Sequence, residues 1–264
     1  MIPDNLYKQT AKYYDYDPRN IVKEDLAFYE MMAEKFKGPI LELACGTGRV
    51  LLHLVAKGYQ MTGVDRSEAM LEVLNEKLAK RSLEQQKRAN IVQGSMTDFT
   101  FHSPFPLIVI PFRSFQILEE EKDQRSCLQS VYSALDDHGR FILHIFRPKG
   151  VLDESWVYPE RVQWEVFNSK TNERVIKTDK GVSIDVTKQR LVAEQVYKVT
   201  KDDGSYFELP QHISLTYYYE EQIRELLESE GFIIEEIRNG FDMNNPNEGH
   251  EMVVICKKKL SYID

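Results

Sequence analysis

Residues 38–65 read GPILELACGTGRVLLHLVAKGYQMTGVD, and this stretch decides the fold. After the Gly38-Pro39 break, "PILELA" is a short apolar run of strand length. A glycine turn follows, and Val50, Leu51, Leu54 and Val55 then recur at helical spacing until Gly58. "YQMTGVD" is a second strand, closed by Asp65. Strand, glycine turn, helix and strand together predict a unit whose backbone N–H groups and helix N-terminus face a ligand. The dinucleotide version of this turn needs a third small residue, but here Gly46 and Gly48 are followed by Leu51. Glu42, on the strand leading into the turn, would also repel a pyrophosphate. The pattern suits a ligand with a cationic group beside the turn and a ribose diol for Asp65.

Outward from this unit the rhythm holds. Ser67 is placed to cap a helix whose Met70, Leu71, Leu74 and Leu78 share one face. "NIVQG" and "LIVIP" read as the third and fourth strands. A helix with Leu128, Val131, Tyr132 and Leu135 runs to "DDHG", and "FILHIF" is the fifth strand. Such alternation predicts a parallel sheet with helices on both faces. After Pro148 come five β-rich segments, "VQWEVF", "RVIKTD", "VSIDVT", "LVAEQVYKVT" and "SYFELPQHISLT". Asp203-Gly204 separates the last two as a hairpin turn. Helical spacing then returns with Ile223, Leu226 and Leu227, closed at Gly231, before strands "FIIEEI" and "EMVVIC". The expected division is a ligand-binding domain over 1–148 and 218–264, interrupted by a β-rich subdomain over 149–217.

The bulk numbers narrow the function classes. The chain has 264 residues, 42% hydrophobic and 29% charged, with a net charge of −8. That balance argues against nucleic acid and anionic membranes as partners, since both favour concentrated Lys and Arg. No apolar run approaches membrane-spanning length. Three scattered cysteines, Cys45, Cys127 and Cys256, read as reduced thiols of a cytoplasmic protein. No His/Cys/Asp cluster has metal-ligand spacing.

A ligand with a ribose and an ammonium group but no phosphate is S-adenosylmethionine (SAM). Through residues 38–71 the chain resembles the first two strand–helix units of class I SAM-dependent methyltransferases. The resemblance extends to "EDLAFYEMMAEKFKGP", "GSMTDF" and "SEGF". It implies an α/β, Rossmann-like doubly wound sheet of about seven strands, the last antiparallel, with a small antiparallel β insertion. It also implies a cofactor site of Glu42, Ala44, Gly46, Gly48, Asp65, Arg66, Ser95, Met96 and Pro111, with Tyr14 over it. Many relatives carry an acid for the adenine amino group where Ser95 stands; either the Ser95 hydroxyl or Asp98 is left to serve, with Met96 packed on the ring.

Methyl transfer from a sulfonium asks a protein mainly for alignment and a dry site. The acceptor side is therefore less legible. "YYDYD" supplies Tyr14 and Tyr16 for a lid, against the plainer reading of helix packing. Phe28 and Tyr29 read as packing residues. "IPFRSF" lacks the (N/D/S)PP(Y/F) clamp of nucleic-acid and glutamine methylation, and its Arg113 is either a contact for an acidic substrate or a surface cation. His144 is the best-placed imidazole for a base, weighed against a satisfied core histidine. His53 and His212 rank below it, and Cys45 has no activating partner. The expected activity is methylation of a small-molecule acceptor. Its alternatives are a protein or RNA methyltransferase and a non-catalytic SAM-binding module. The insertion would shape the acceptor pocket or form the interface of a homodimer.

Overall fold

The computed structural model describes residues 7–20, 23–242 and 244–260. Five parallel strands form most of the main sheet: β1 (Ile40–Leu43), β2 (Met61–Asp65), β3 (Ala89–Gln93), β4 (Phe105–Ile110) and β5 (Leu135–Phe146). After the inserted segment come β10 (Phe232–Arg238) and β11 (Glu251–Lys258), and β11 runs antiparallel to both β5 and β10. The order β10-β11-β5-β4-β1-β2-β3 puts the reversal of strand order between β1 and β4. At that reversal, connections leave toward opposite faces and a crevice opens at the strands' carboxyl ends.

Strand alternation builds two cores. Leu41 and Leu43 of β1 face helices α6 (Glu121–Ala134) and α7 (Glu220–Ser229), whose Leu128, Val131, Ile223 and Leu227 are fully buried. Ile40 faces the other way, toward α2 (Leu26–Phe36), α3 (Arg49–Ala56) and α4 (Glu68–Ala79). Phe28 and Tyr29 belong to that second core. Ser67 caps α4 as expected, accepting from the Met70 N–H at 3.3 Å. A short helix, α5 (Leu83–Lys87), was not expected; Ser82 caps it in the same way.

The inserted segment forms a separate antiparallel sheet of β6 (Arg161–Asn168), β7 (Glu173–Asp185), β8 (Arg190–Thr200) and β9 (Tyr206–Thr216). Here two expectations change. "RVIKTD" and "VSIDVT" are one long strand, β7, because a register shift between Gly181 and Ser183 bends the chain without ending it. Leu135 leaves the expected helix and opens β5 opposite Phe105, and a shift before Leu107 lets the "DDHG" stretch stay within the strand. The hairpin at Asp203-Gly204 is as expected, with the Lys201 N–H donating to Ser205 O at 2.9 Å.

One more element matters for the site. Helix α1 (Ala11–Tyr14) lies against the inner face of the inserted sheet, with Tyr13 buried among Trp164, Val175, Tyr197 and Val199. The Thr10 hydroxyl donates to Gln211 of β9 at 2.6 Å. On its other side, Asp15 accepts from the Thr47 hydroxyl in the glycine turn and from Lys77 of α4, each at 2.6 Å. The N-terminal segment thus straps the insertion to the glycine turn.

Candidate active site

A cleft of about 800 Å³ opens at the carboxyl ends of β1, β2 and β3. Of the residues singled out in the sequence, Tyr14, Ala44, Gly46, Asp65, Arg66, Ser95 and Met96 line it. Tyr7, Val64, Ser67, Met70, Gly94, Ser114, Ile117 and Leu118 complete the wall. Sequence reasoning missed these last eight. The only signal for Ser114 and Ile117 was their place just after the fourth strand.

The turn is wound left-handed at three points: φ is 55° at Ala44, 55° at Gly46 and 82° at Gly48. The two glycines serve different ends. A Cβ on Gly48 would lie 2.2 Å from Leu74 Cδ1, so this glycine lets α3 pack close to α4 and is absent from the cleft wall. At Gly46 a Cβ would meet nothing within 4 Å, because that side of the turn faces the cleft. Asp65 ties the parts together. Its Oδ2 accepts the Gly46 N–H at 2.7 Å and its Oδ1 accepts the Ser67 N–H at 2.8 Å. The carboxylate keeps further acceptor capacity for the cleft. Burial raises the Asp65 carboxyl above its ordinary pKa, against the pull of the Ser67, Gly46 and Arg66 N–H groups.

Glu42 sits behind the turn, 2% exposed and outside the cleft wall. Its Oε2 is buried with no hydrogen-bond partner among the described residues. Burial pushes its carboxyl up to about 8; the nearby Arg49 guanidinium lowers it, and Asp25 and Asp65 raise it. Arg49 itself donates to the fully buried Asp25, Nη2 to Oδ2 at 2.6 Å. With Glu42 ionised, this trio carries one negative charge in excess.

Other expected residues lie elsewhere. Asp98 is not in the cleft wall; its N–H donates to Ser95 O at 3.3 Å. The Ser95 hydroxyl is engaged with Thr97, 2.7 Å from its Oγ1. Pro111 offers its carbonyl to the Ser114 hydroxyl at 2.9 Å and lines no cavity described here. Tyr16 packs edge-on to Tyr13, their centroids 5.6 Å apart, and does not line the cleft. His53 is bound to Glu30 at 3.1 Å, and His212 is exposed beside Glu194. Burial pushes the Cys45 thiol well up, as fits a packed thiol.

His144 is 1% exposed and has both ring nitrogens committed. Nδ1 accepts the Phe112 N–H at 3.0 Å, so Nε2 carries the proton and faces Glu251 Oε2 at 3.0 Å. No nitrogen is left to take a proton from an acceptor, and burial lowers the ring's pKa further. The imidazole braces instead. Phe112 and Arg113 hold φ of 53° and 67°, a strained pair of left-handed residues. The Arg113 N–H donates to His144 O at 3.1 Å, and its guanidinium forks onto Glu251. Replacing Glu251 with alanine would strand the His144 N–H and half-bury an unpaired Arg113. Urea unfolding should then show a loss of about 2 kcal/mol, below the ~3–5 kcal/mol of a fully buried broken pair because Arg113 keeps some solvent. A change within 0.5 kcal/mol, the scatter of neutral surface substitutions, would show that the loop needs no brace.

A second cavity, about 1030 Å³, lies beyond the first. Its walls come from the N-terminal strap (Asp17, Arg19), the loop after β4 (Phe112, Arg113) and the inserted sheet (Gln163, Lys177, Gln195, Tyr197). Tyr7, Tyr14, Ser114 and Ile117 line both cavities. Among the described residues no group of three or more His, Cys, Asp or Glu could hold a metal ion, and no helix is long and apolar enough to cross a membrane.

Comparisons with known proteins agree with this architecture. Residues 40–139 match a family model described as a methyltransferase domain. A protein of Geobacillus sp. (strain WCH70), named as a methyltransferase, is 27% identical over 263 residues, covering 96% of this chain and 99% of its own. Among solved structures, the CcbJ methyltransferase from Streptomyces caelestis superposes with a TM-score of 0.77 at 21% identity, covering 97% of this chain and 99% of its own. The sugar N-methyltransferase KedS8 from Streptoalloteichus sp. gives 0.71 at 17% identity, covering 94% and 92%. At such identities the solved structures speak for the fold. The chain carries a match to a methyltransferase domain over residues 40–139 and is similar along its whole length to methyltransferases in sequence and in fold.

Proposed function

We propose that the enzyme methylates a small molecule held in the second cavity, with SAM in the first. The observation that carries this reading is the shared wall of Tyr7, Tyr14, Ser114 and Ile117. One compartment fits a nucleoside with an ammonium tail, the other a separate molecule, and they meet at four residues. The fit of the first rests on the open space over Gly46 and the remaining acceptor capacity of Asp65, with the uncompensated Glu42 carboxylate buried behind the turn. SAM, when bound, supplies an activated methyl group on a sulfonium. Around it Asp65 would accept from the ribose hydroxyls, Glu42 would offset the ammonium, and Ser95 and Met96 would border the adenine. Tyr14 and Tyr7 would exclude water where the cavities meet, and alignment there would lower the barrier by part of the ~7–11 kcal/mol that orientation can contribute. Of the two uses expected for residues 149–217, the cavity on the sheet's inner face supports the acceptor pocket. Three buried free thiols suit a reducing cytoplasm.

KedS8 is a sugar N-methyltransferase, and a small acceptor suits a cavity walled by the strap, the loop after β4 and the inserted sheet better than a protein or RNA surface does. Incubation with labelled SAM and separate metabolite, RNA and protein pools tests this. S-adenosylhomocysteine should form with the metabolite pool. Formation only with RNA or protein, or with nothing, would overturn the reading.

A further inference from the structure

The second cavity contains a charge that no described residue pairs with directly. In the inserted sheet Lys177 pairs with Tyr197 and Asp179 with Gln195, so these four side chains share the inner face. Lys177 is 8% exposed and lines the cavity. Its ammonium lies 5.1 Å from the Tyr197 ring centroid and pairs with no carboxylate among the described residues. Among the described residues, the other charges nearby each have an ion-pair partner, the Arg161–Asp179 pair being the loosest and Asp179 Oδ1 having no hydrogen-bond partner. Arg19 donates to Asp17 at 2.8 and 2.5 Å, Arg113 is forked onto Glu251, and Arg161 stands 3.5 Å from Asp179. One positive charge remains, walled off from most water, where an unpaired cation is costly. A second unmet demand lies close by. Gln163, at the register shift of β6, has a buried Oε1 with no hydrogen-bond partner among the described residues, and it lines the same cavity.

We propose that this cavity recognises the acceptor by a carboxylate, which Lys177 grips while the Gln163 amide meets a polar group beside it. The inference rests on the two-compartment reading above. Lys177 lines only the second cavity, whereas Tyr14 lines both, so the lysine holds the end of the acceptor remote from the methyl group. It is a binding residue and not a base. A single surplus charge matches a monoanion better than a phosphate dianion, and Ala193, Ile213 and Leu215 supply apolar wall for a short carbon frame. Burial, then Arg19, push the Lys177 ammonium down to about 8 against the pull of Asp17 and Asp179, which leaves it mostly cationic at neutral pH.

Benzoate and benzamide serve as matched probes, titrated by NMR at pH 7 into protein saturated with S-adenosylhomocysteine. Benzoate should bind the parent, bind Lys177→Gln at least tenfold more weakly, and recover with Lys177→Arg. Benzamide should not distinguish the three. SAM affinity, measured by calorimetry, should be the same in all, which also shows that the variants fold. The ligand-free Lys177→Gln protein should melt a few degrees higher, since a costly buried charge is gone. Benzoate bound equally by parent and Gln variant, or by neither at millimolar concentration, would overturn the carboxylate site while leaving the cofactor reading intact. Failure of the parent to bind SAM would overturn both.

Discussion

Asp65→Ala should weaken SAM binding by about 3 kcal/mol, or roughly 150-fold, at the upper end for a lost charged hydrogen bond. Two effects combine. The variant leaves the Gly46 and Ser67 N–H groups without their acceptor, so both the glycine turn and the start of α4 lose a fixed point. It also removes the only carboxylate among the described residues lining the cleft. These effects separate with an analogue that lacks the ribose hydroxyls. The parent should prefer SAM to this analogue, and the alanine variant should lose most of that preference. Calorimetry showing an equal drop for both ligands would reduce Asp65 to a brace for the turn. An unchanged affinity would remove it from the site altogether.

The same residues explain how far the sequence could be read. The glycine turn, Asp65 and the order of strands all arise from local pattern: apolar runs of strand length, helical spacing, and acids at strand ends. Such signals survive in one dimension because each belongs to a single element. The insertion was recognisable for the same reason, since its segments alternate and its hairpin carries Asp203-Gly204. What was lost depends on contacts between distant segments. His144 looked available because nothing in its own strand reveals Glu251, 107 residues away, or the Phe112 N–H that occupies its other nitrogen. Tyr14 and Tyr16 are two residues apart, yet one borders both cavities and the other packs beside Tyr13. Only the docking of α1 on the inserted sheet decides between them. Lys177 drew no attention at all. Within "RVIKTD" it is one more polar residue of a strand, and its importance comes from carboxylates already paired with other cations.

Glu42 poses the remaining question of charge, and its pH dependence answers it. Glu42→Gln keeps shape and hydrogen-bonding atoms but deletes the charge, so SAM affinity above neutral pH should fall by about 2 kcal/mol, the through-space attraction of unit charges ~8 Å apart at an effective dielectric of ~20. In the ligand-free protein the carboxyl is held up to about 8, chiefly by burial, so at pH 6 it is mostly protonated. An ammonium in the cleft, across the turn from it, favours the ionised form, so binding expels a proton. The parent's SAM affinity should therefore rise from pH 6 to pH 8, by up to about tenfold per pH unit, whereas the variant's should not share this rise. Stability in the absence of ligand has the opposite sign. The folded carboxyl titrates above its ordinary value of 4.5, so the folded state binds the extra proton between pH 4.5 and about 8. Its contribution is intact below that window and is lost as pH climbs through it. Glu42→Gln should be the more stable protein at pH 8 and show less of this decline. Parallel pH profiles for SAM binding in parent and variant would mean that Glu42 feels no ligand charge. Parallel stability profiles would mean that the carboxylate, though buried, is already neutralised by Arg49.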